Sequence, residues 1–144
     1  QDPVLRDLHG FQTFLAHGDG LGRGDVGYQL LRTLVRSRLT RWLFSWLHPN
    51  LGIAIARRVS QTELSPGGPS KAEKGRSKIL RKWAVGELQQ NPTLDLIVCG
   101  HTHIPLLEEV DPGRYYANAG DWLRHRSYLV LHEGRPPVLH IWEE

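Results

Sequence analysis

The sequence predicts a mixed α+β chain. Three observations predict it: short apolar runs bounded by turn residues near both ends, apolar residues at helical spacing through the middle, and 144 residues, a length that suits one core. Forty per cent of the residues are hydrophobic and 23% charged, a balance that packs a core instead of leaving a disordered chain. Lys and Arg total 18 against 15 Asp and Glu, and the sequence pI is near 9.3. That is a mild leaning toward phosphate or anionic surfaces, without the strong bias of a nucleic-acid coat, and no nucleic-acid partner is expected.

Cys99 is the one cysteine, which excludes an internal disulfide and a thiolate zinc cluster and makes a reducing compartment the simpler reading. No apolar run reaches the roughly 18 residues of a spanning helix, and the first residues lack the zones of a signal peptide. Methionine is absent, even at position 1, so Gln1 is expected not to be the translated start and the chain to be a piece of something longer.

In order, Pro3–His9 and Phe11–Ala16 read as two extended segments joined at Leu8-His9-Gly10. The second ends in His17-Gly18-Asp19 and runs into a glycine-rich loop. Its glycines do not have dinucleotide-loop spacing, and no acidic partner follows a second strand. From Tyr28 to about Leu47, Leu30, Leu31, Leu34, Val35, Leu39, Trp42, Leu43 and Trp46 recur every three or four residues, which predicts a helix studded with arginines. His48-Pro49-Asn50 ends it, and Leu51–Ser60 restarts a shorter apolar helix. Lys71–Gln90 reads as a polar helix with Ile79, Leu80, Trp83 and Leu88 inward, stopped by Asn91-Pro92. Leu94–Cys99 has the look of a buried strand and delivers Gly100-His101-Thr102-His103. Tyr115–Trp122, Ser127–His132 and Pro137–Trp142 are three further strand candidates.

Of eight histidines, His17, His101 and His103 are the informative ones, because each follows an apolar strand where the chain leaves a sheet, the place where sheet proteins build ligand sites. On a bend after Gly100, His101 and His103 can splay toward two adjacent metals, which argues for a dinuclear centre; imidazole does not choose between Mn, Zn, Fe and Ni. A solvated loop or a hydrogen-bonded core histidine is the ordinary alternative for a lone His-x-His. His9, His48, His125, His132 and His140 have no such setting and read as surface or capping residues.

Gly100-His101-Thr102-His103, His17-Gly18-Asp19 before it and Asn118-Ala119-Gly120-Asp121-Trp122 after it resemble the last motifs of the calcineurin-like metallophosphoesterase family. Within it, His17-Gly18-Asp19 with Leu21, Asp25, Gly27-Tyr28-Gln29 and Arg32, then Trp42-Leu43-Phe44, His48-Pro49-Asn50 and Gly52-Ile53, resemble the UDP-2,3-diacylglucosamine pyrophosphohydrolases of lipid A synthesis. The resemblance covers nearly the whole chain. It implies a four-layer αββα sandwich of which residues 1–144 are the C-terminal portion of one domain, with a helical lid over about 25–90. It also implies two manganese-like divalent ions and an acylated UDP-sugar substrate, cleaved to lipid X and UMP. Carried over, His17 and His101 resemble ligands of one metal and His103 of the other, with His101 also polarising the attacked phosphate. Asp25 and Ser60 resemble substrate contacts, Tyr28 and Arg32 lie on the helix that starts the lid, and Lys71 and Lys74 stand where the family places a basic residue for the diphosphate. Asp19, Asn118 and Asp121 are the residues expected to support the imidazoles from behind.

The family's Asp-x-His, Gly-Asp-x-x-Asp and Gly-Asn-His-(Asp/Glu) motifs supply the other ligands, and the last two do not occur here. Asp7-Leu8-His9 fits the first as a string but sits at a hairpin bend, and so reads as coincidence. Three neutral imidazoles offer no charge to two dications, so the isolated chain is expected to be inactive, with the N-terminal portion of the enzyme as its partner. The face of the strands around Leu96 and Val98 is expected to be uncovered. A cytoplasmic location at the inner membrane, with contact to its anionic surface, completes the expectation. Two other readings stand beside it: another phosphodiesterase or nucleotidase of the superfamily, and a non-enzymatic piece whose basic helix binds acidic lipid or nucleic acid.

Overall fold

Strands β1 (Val4–Leu8) and β2 (Phe11–Ala16) close through His9 and Gly10, both with positive φ (52° and 86°), the backbone of a tight two-residue hairpin. Asp7 locks the turn: its carboxylate accepts from Gly10 N (3.0 Å) and from Gln12 Nε2 (2.9 Å). Both oxygens of Asp7 are therefore engaged in the hairpin. The computed structural model describes residues 3–22, 37–46, 48–60 and 68–143, and these fall into two units, Gln1–Arg23 with Pro69–Glu144, and Gly24–Gly68.

The first unit is built on a five-stranded sheet in the order β1-β2-β3-β5-β4, with β3 Leu96–Cys99, β4 Leu106–Asp111 and β5 Arg114–Asn118. Strands β2, β3 and β5 are parallel, with Ala16, Cys99 and Asn118 in register, so their carboxyl ends leave the sheet at one edge. β1 and β4 are antiparallel edge strands. β4 is an element the sequence pattern did not announce. Two consecutive acidic residues interrupt its alternation, and each is answered in space: Glu108 pairs with Arg81, while Glu109 accepts from Gly113 N (2.8 Å) and Tyr115 OH (3.2 Å).

Helix α3 lies between β2 and β3 in the chain, at Lys71–Gln90, after α1 (Arg38–Ser45) and α2 (Pro49–Ser60) of the second unit. It starts on a capping box, in which Glu73 N donates to Ser70 Oγ (3.1 Å) and Ser70 N to Glu73 Oε2 (2.6 Å). Asn91 ends it. The Arg114 guanidinium then collects the carbonyls of Leu88, Asn91 (2.7 Å) and Leu94 (2.9 Å), a cation on the helix's negative end. Leu80, Ala84 and Leu88 pack on Ile97, Cys99 and Tyr116. Two details differ from expectation: Ile79 is turned outward, and Ala84 takes the inner position instead. Burial pushes the Cys99 thiol up to about 12.

The opposite sheet face carries Leu96, Tyr115 and Ala117, covered by Leu129 and Leu131 from the two-stranded ribbon of β6 (Ser127–Val130) and β7 (Val138–Ile141) and its neighbouring loop. Leu96 is fully buried, so the expected bare face is confined to the end of the sheet around Leu15 and Val98. The strand expected at Tyr115–Trp122 stops at Asn118, because Asp121–Arg126 forms a turn.

In the second unit, α1 (Arg38–Ser45) starts at Ser37, whose Oγ accepts from Thr40 N (3.1 Å). α2 (Pro49–Ser60) starts beside His48, which accepts from Asn50 N through Nδ1 (3.4 Å), a capping histidine as expected. Leu39, Trp42 and Trp46 share one exposed stripe, and the two indoles meet edge to face at 5.8 Å. The helix expected from Tyr28 is described only from 37 onward. Among the described residues no helix is long and apolar enough to cross a membrane.

Candidate functional site

The carboxyl ends of β2, β3 and β5 deliver, respectively, His17, Gly100-His101-Thr102-His103 and Ala119-Gly120-Asp121 to one edge of the sheet. Clefts outside the carboxyl ends of parallel strands are where such sheets bind ligands. The backbone holds the first two ends together, with Gly100 N donating to His17 O at 3.0 Å. The imidazoles of His17 and His101 meet edge to face with ring centroids 5.3 Å apart. Gly18 makes that approach feasible: at φ 101°, a Cβ there would lie 3.1 Å from Leu80 Cδ2, 3.3 Å from Gly100 O and 3.4 Å from His101 Cβ.

His101 and His103 both adopt positive φ (67° and 54°), as does Arg126 (48°), a conformation that L-residues other than Gly, Asn and Asp seldom take. This double turn is the bend that lets both imidazoles leave the strand end. Asn118 braces it from beneath: fully buried, its Nδ2 donates to Gly100 O (2.9 Å) and Thr102 Oγ1 (2.9 Å), while its Oδ1 accepts from Gly120 N (2.9 Å). Its contacts are thus with the turn that carries His101.

Asp121 faces the second imidazole. Its Oδ2 lies 3.8 Å from His103 Nδ1 and 3.2 Å from His125 Nδ1, and its Oδ1 accepts from Arg124 N (2.5 Å). Burial raises the Asp121 carboxyl, but the Arg124 amide and the two imidazoles outweigh it and hold the group below the usual carboxylate range. Arg124 then reaches Glu73 in the first turn of α3, Nη1 to Oε1 at 3.3 Å. The hydrogen bonds with Ser70, together with Arg124, likewise hold Glu73 low. The same helical turn exposes Lys71 and Lys74.

Of the residues singled out from sequence, His17 and His101 are brought together, His103 is carried by the same turn and meets Asp121, and Asn118 sits beneath them. Asp19 lies in the turn after His17. Ser60 is the last residue of α2, while Asp25, Tyr28 and Arg32 lie outside the described residues. His125 is the residue that sequence reasoning set aside. It follows no strand, and only the turn from Asp121 brings it in.

Among the described residues no group of three or more His, Cys, Asp or Glu side chains is arranged to hold a metal ion. The His17–His101 pair has the donor chemistry for part of a divalent site, yet the charge that two such ions need is not gathered there. By itself the chain fits a fraction of a metal centre.

The chain is 32% identical over 139 residues, 92% of its length, to the UDP-2,3-diacylglucosamine hydrolase of Aeromonas salmonicida strain A449. This chain is a relative of the UDP-2,3-diacylglucosamine hydrolases. The hydrolases so named from Shewanella piezotolerans and Aeromonas hydrophila are 27% and 28% identical over 94% and 92% of the chain. In each case the chain spans about half the length of the hydrolase, 52% for the first and 56% and 55% for the others, and it corresponds to their C-terminal part. No protein-family model matches it.

Proposed function

We propose that the protein containing this chain hydrolyses the diphosphate bond of UDP-2,3-diacylglucosamine to lipid X and UMP. The observation that carries this reading is the meeting of His17 and His101 at the parallel strand ends, with His103 on the same turn facing Asp121, in a relative of hydrolases of that name. His17, His101 and His103 would hold part of a dinuclear manganese-like centre, the remaining donors coming from outside this chain. Divalent ions bound there supply Lewis acidity at the phosphate and lower the pKa of the attacking water. The chain's own side chains do the rest. Asp121 sets a negative charge beside His103, Asn118 fixes the turn that aims His101, and Lys71 and Lys74 attract the diphosphate. Asp19 is assigned to the support of His17. Asp25, Tyr28, Arg32 and Ser60 are assigned to substrate contact.

The architecture proposed for the whole protein is a four-layer αββα sandwich, with a helical lid drawn from the part of residues 25–90 that precedes α3, since α3 itself packs on the sheet. The exposed Leu39, Trp42 and Trp46 stripe suits acyl chains and an anionic membrane surface, which supports a peripheral place on the cytoplasmic side of the inner membrane. The isolated chain is inactive on this reading. The test is release of UMP by the complete protein in manganese. UDP-2,3-diacylglucosamine should be turned over far better than bis-p-nitrophenyl phosphate, and His101→Ala should lower turnover on the order of a hundredfold. Equal turnover of the two substrates would place the protein among general phosphodiesterases instead, and phosphate-independent binding to anionic vesicles without turnover would make it a binding module.

A further inference from the structure

We propose that His125 binds a phosphate group of the substrate through Nε2, its Nδ1 clamped by the carboxylate that also faces His103. This rests on the hydrolase reading only for the identity of the substrate. The clamp is geometric: Asp121 Oδ2 lies 3.2 Å from His125 Nδ1 and 3.8 Å from His103 Nδ1, so the two imidazoles stand within about 7 Å of each other, near enough for one diphosphate to reach both. With Nδ1 donating to the carboxylate, the Nε2–H of the imidazolium is the donor left to meet a phosphate oxygen. Among the described residues His125 Nε2 has no hydrogen-bond partner, and the side chain is 27% exposed against 10% for Asp121. The carboxylate is sunk beneath the surface while the imidazole it holds reaches solvent.

The turn carrying His125 is over-determined in a way that a plain surface turn does not need. Arg124 N donates to Asp121, the Arg124 side chain reaches Glu73, and Arg126 holds a left-handed backbone while its carbonyl accepts from Trp142 N (2.8 Å). Strained, multiply anchored backbone of this kind concentrates at ligand clamps. The Arg124–Glu73 contact also sets the turn against the helical turn bearing Lys71 and Lys74, so the positive charge of that corner faces the same ligand chemistry. An exposed histidine with no role would need none of these anchors.

Asparagine and glutamine separate the two ring nitrogens, since Asn presents an amide near the position of Nδ1 and Gln one near that of Nε2. Inorganic pyrophosphate is titrated into this chain while the histidine Cε1–H resonances are followed by NMR, with exposed His9 and His132 as internal references. The expected result is a saturable shift of the His125 resonance. Affinity should fall about tenfold in His125→Asn, the scale of one charge-assisted hydrogen bond, and should be largely kept in His125→Gln. An unmoved His125 resonance overturns the proposal, as does an equal shift at His9 and His132, or an affinity kept by Asn and lost by Gln, which is the order a purely structural clamp predicts. Turnover of UDP-2,3-diacylglucosamine by the complete protein distinguishes the two failures. Pyrophosphate binding through His125 without turnover removes the hydrolase reading alone, and turnover with no pyrophosphate effect at His125 removes this proposal alone.

Discussion

On the sheet face covered by α3, Ile97, Cys99 and Tyr116 are shut in by Leu80, Ala84 and Leu88, whereas on the other face the β6–β7 ribbon reaches Leu96 and Ala117 but leaves Leu15 and Val98 lining a groove of about 490 Å³ with Val4 and His17. Parallel strands ordinarily need cover on both sides. A capped helix of 20 residues provides it on one face; strands of four residues each, paired only with one another, reach across part of the second. The difference teaches that the scaffold under the imidazoles is self-supporting on its helical side, while the His17 end of the other side is where this chain is least finished.

The largest test of that contrast is a pair of truncations. Leu88→Ala should destabilise by about 2–5 kcal/mol in urea unfolding, and Val98→Ala by under about 1.5 kcal/mol; equal losses would mean that the two faces are equally packed. Next comes the hinge of the ribbon. At Gly120, with φ 76°, a Cβ would fall 2.4 Å from Ser127 Oγ and 2.8 Å from Pro105 Cγ, whereas at Gly113, with φ 75°, it would meet open space. Gly120→Ala should therefore cost about 3 kcal/mol and Gly113→Ala about 1, both read from thermal unfolding, since only the first adds overpacking to backbone strain.

A smaller effect probes the helical face through pH. Burial holds the folded Cys99 thiol at about 12, above its ordinary value of 9.0, so the folded chain keeps its proton where the unfolded chain loses it. Stability is whole below about pH 9 and falls as pH rises toward 12. The loss by pH 10.5 should be about 2 kcal/mol, and Cys99→Ala should flatten that limb of the stability curve. Rapid alkylation of Cys99 in the native chain at pH 8 would show that the helix does not seal this face. The smallest change is Ser70→Ala, expected to cost about 1 kcal/mol by removing the cap of α3, with no change in the groove on the other side.

What the sequence revealed follows the same division. The long helix Lys71–Gln90 and the strands ending in His17 and Cys99 were legible because their periodicity and punctuation are local. β4 was not, since Glu108 and Glu109 read as polar until Arg81 and Tyr115 answer them from distant parts of the chain. The inner face of α3 differed at one member, Ala84 standing inward and Ile79 outward, because a helix with apolar residues on several sides does not declare which one meets the sheet. At the site, motif spacing singled out His17, His101 and His103, but the hydrogen bond of Asp121 to His125 depends on a turn geometry that no spacing encodes.

The left-handed backbone at His101 and His103 has one more consequence, best seen through mirror-image chemistry. A D-histidine introduced by semisynthesis at position 103 would find that φ comfortable, relieving the peptide chain, yet its Cβ would leave the main chain in the other direction and swing the ring away from Asp121. Foldedness would rise as the imidazole arrangement vanished. The handedness of these two residues is thus what the chain gives up in ease to point two rings across one cleft.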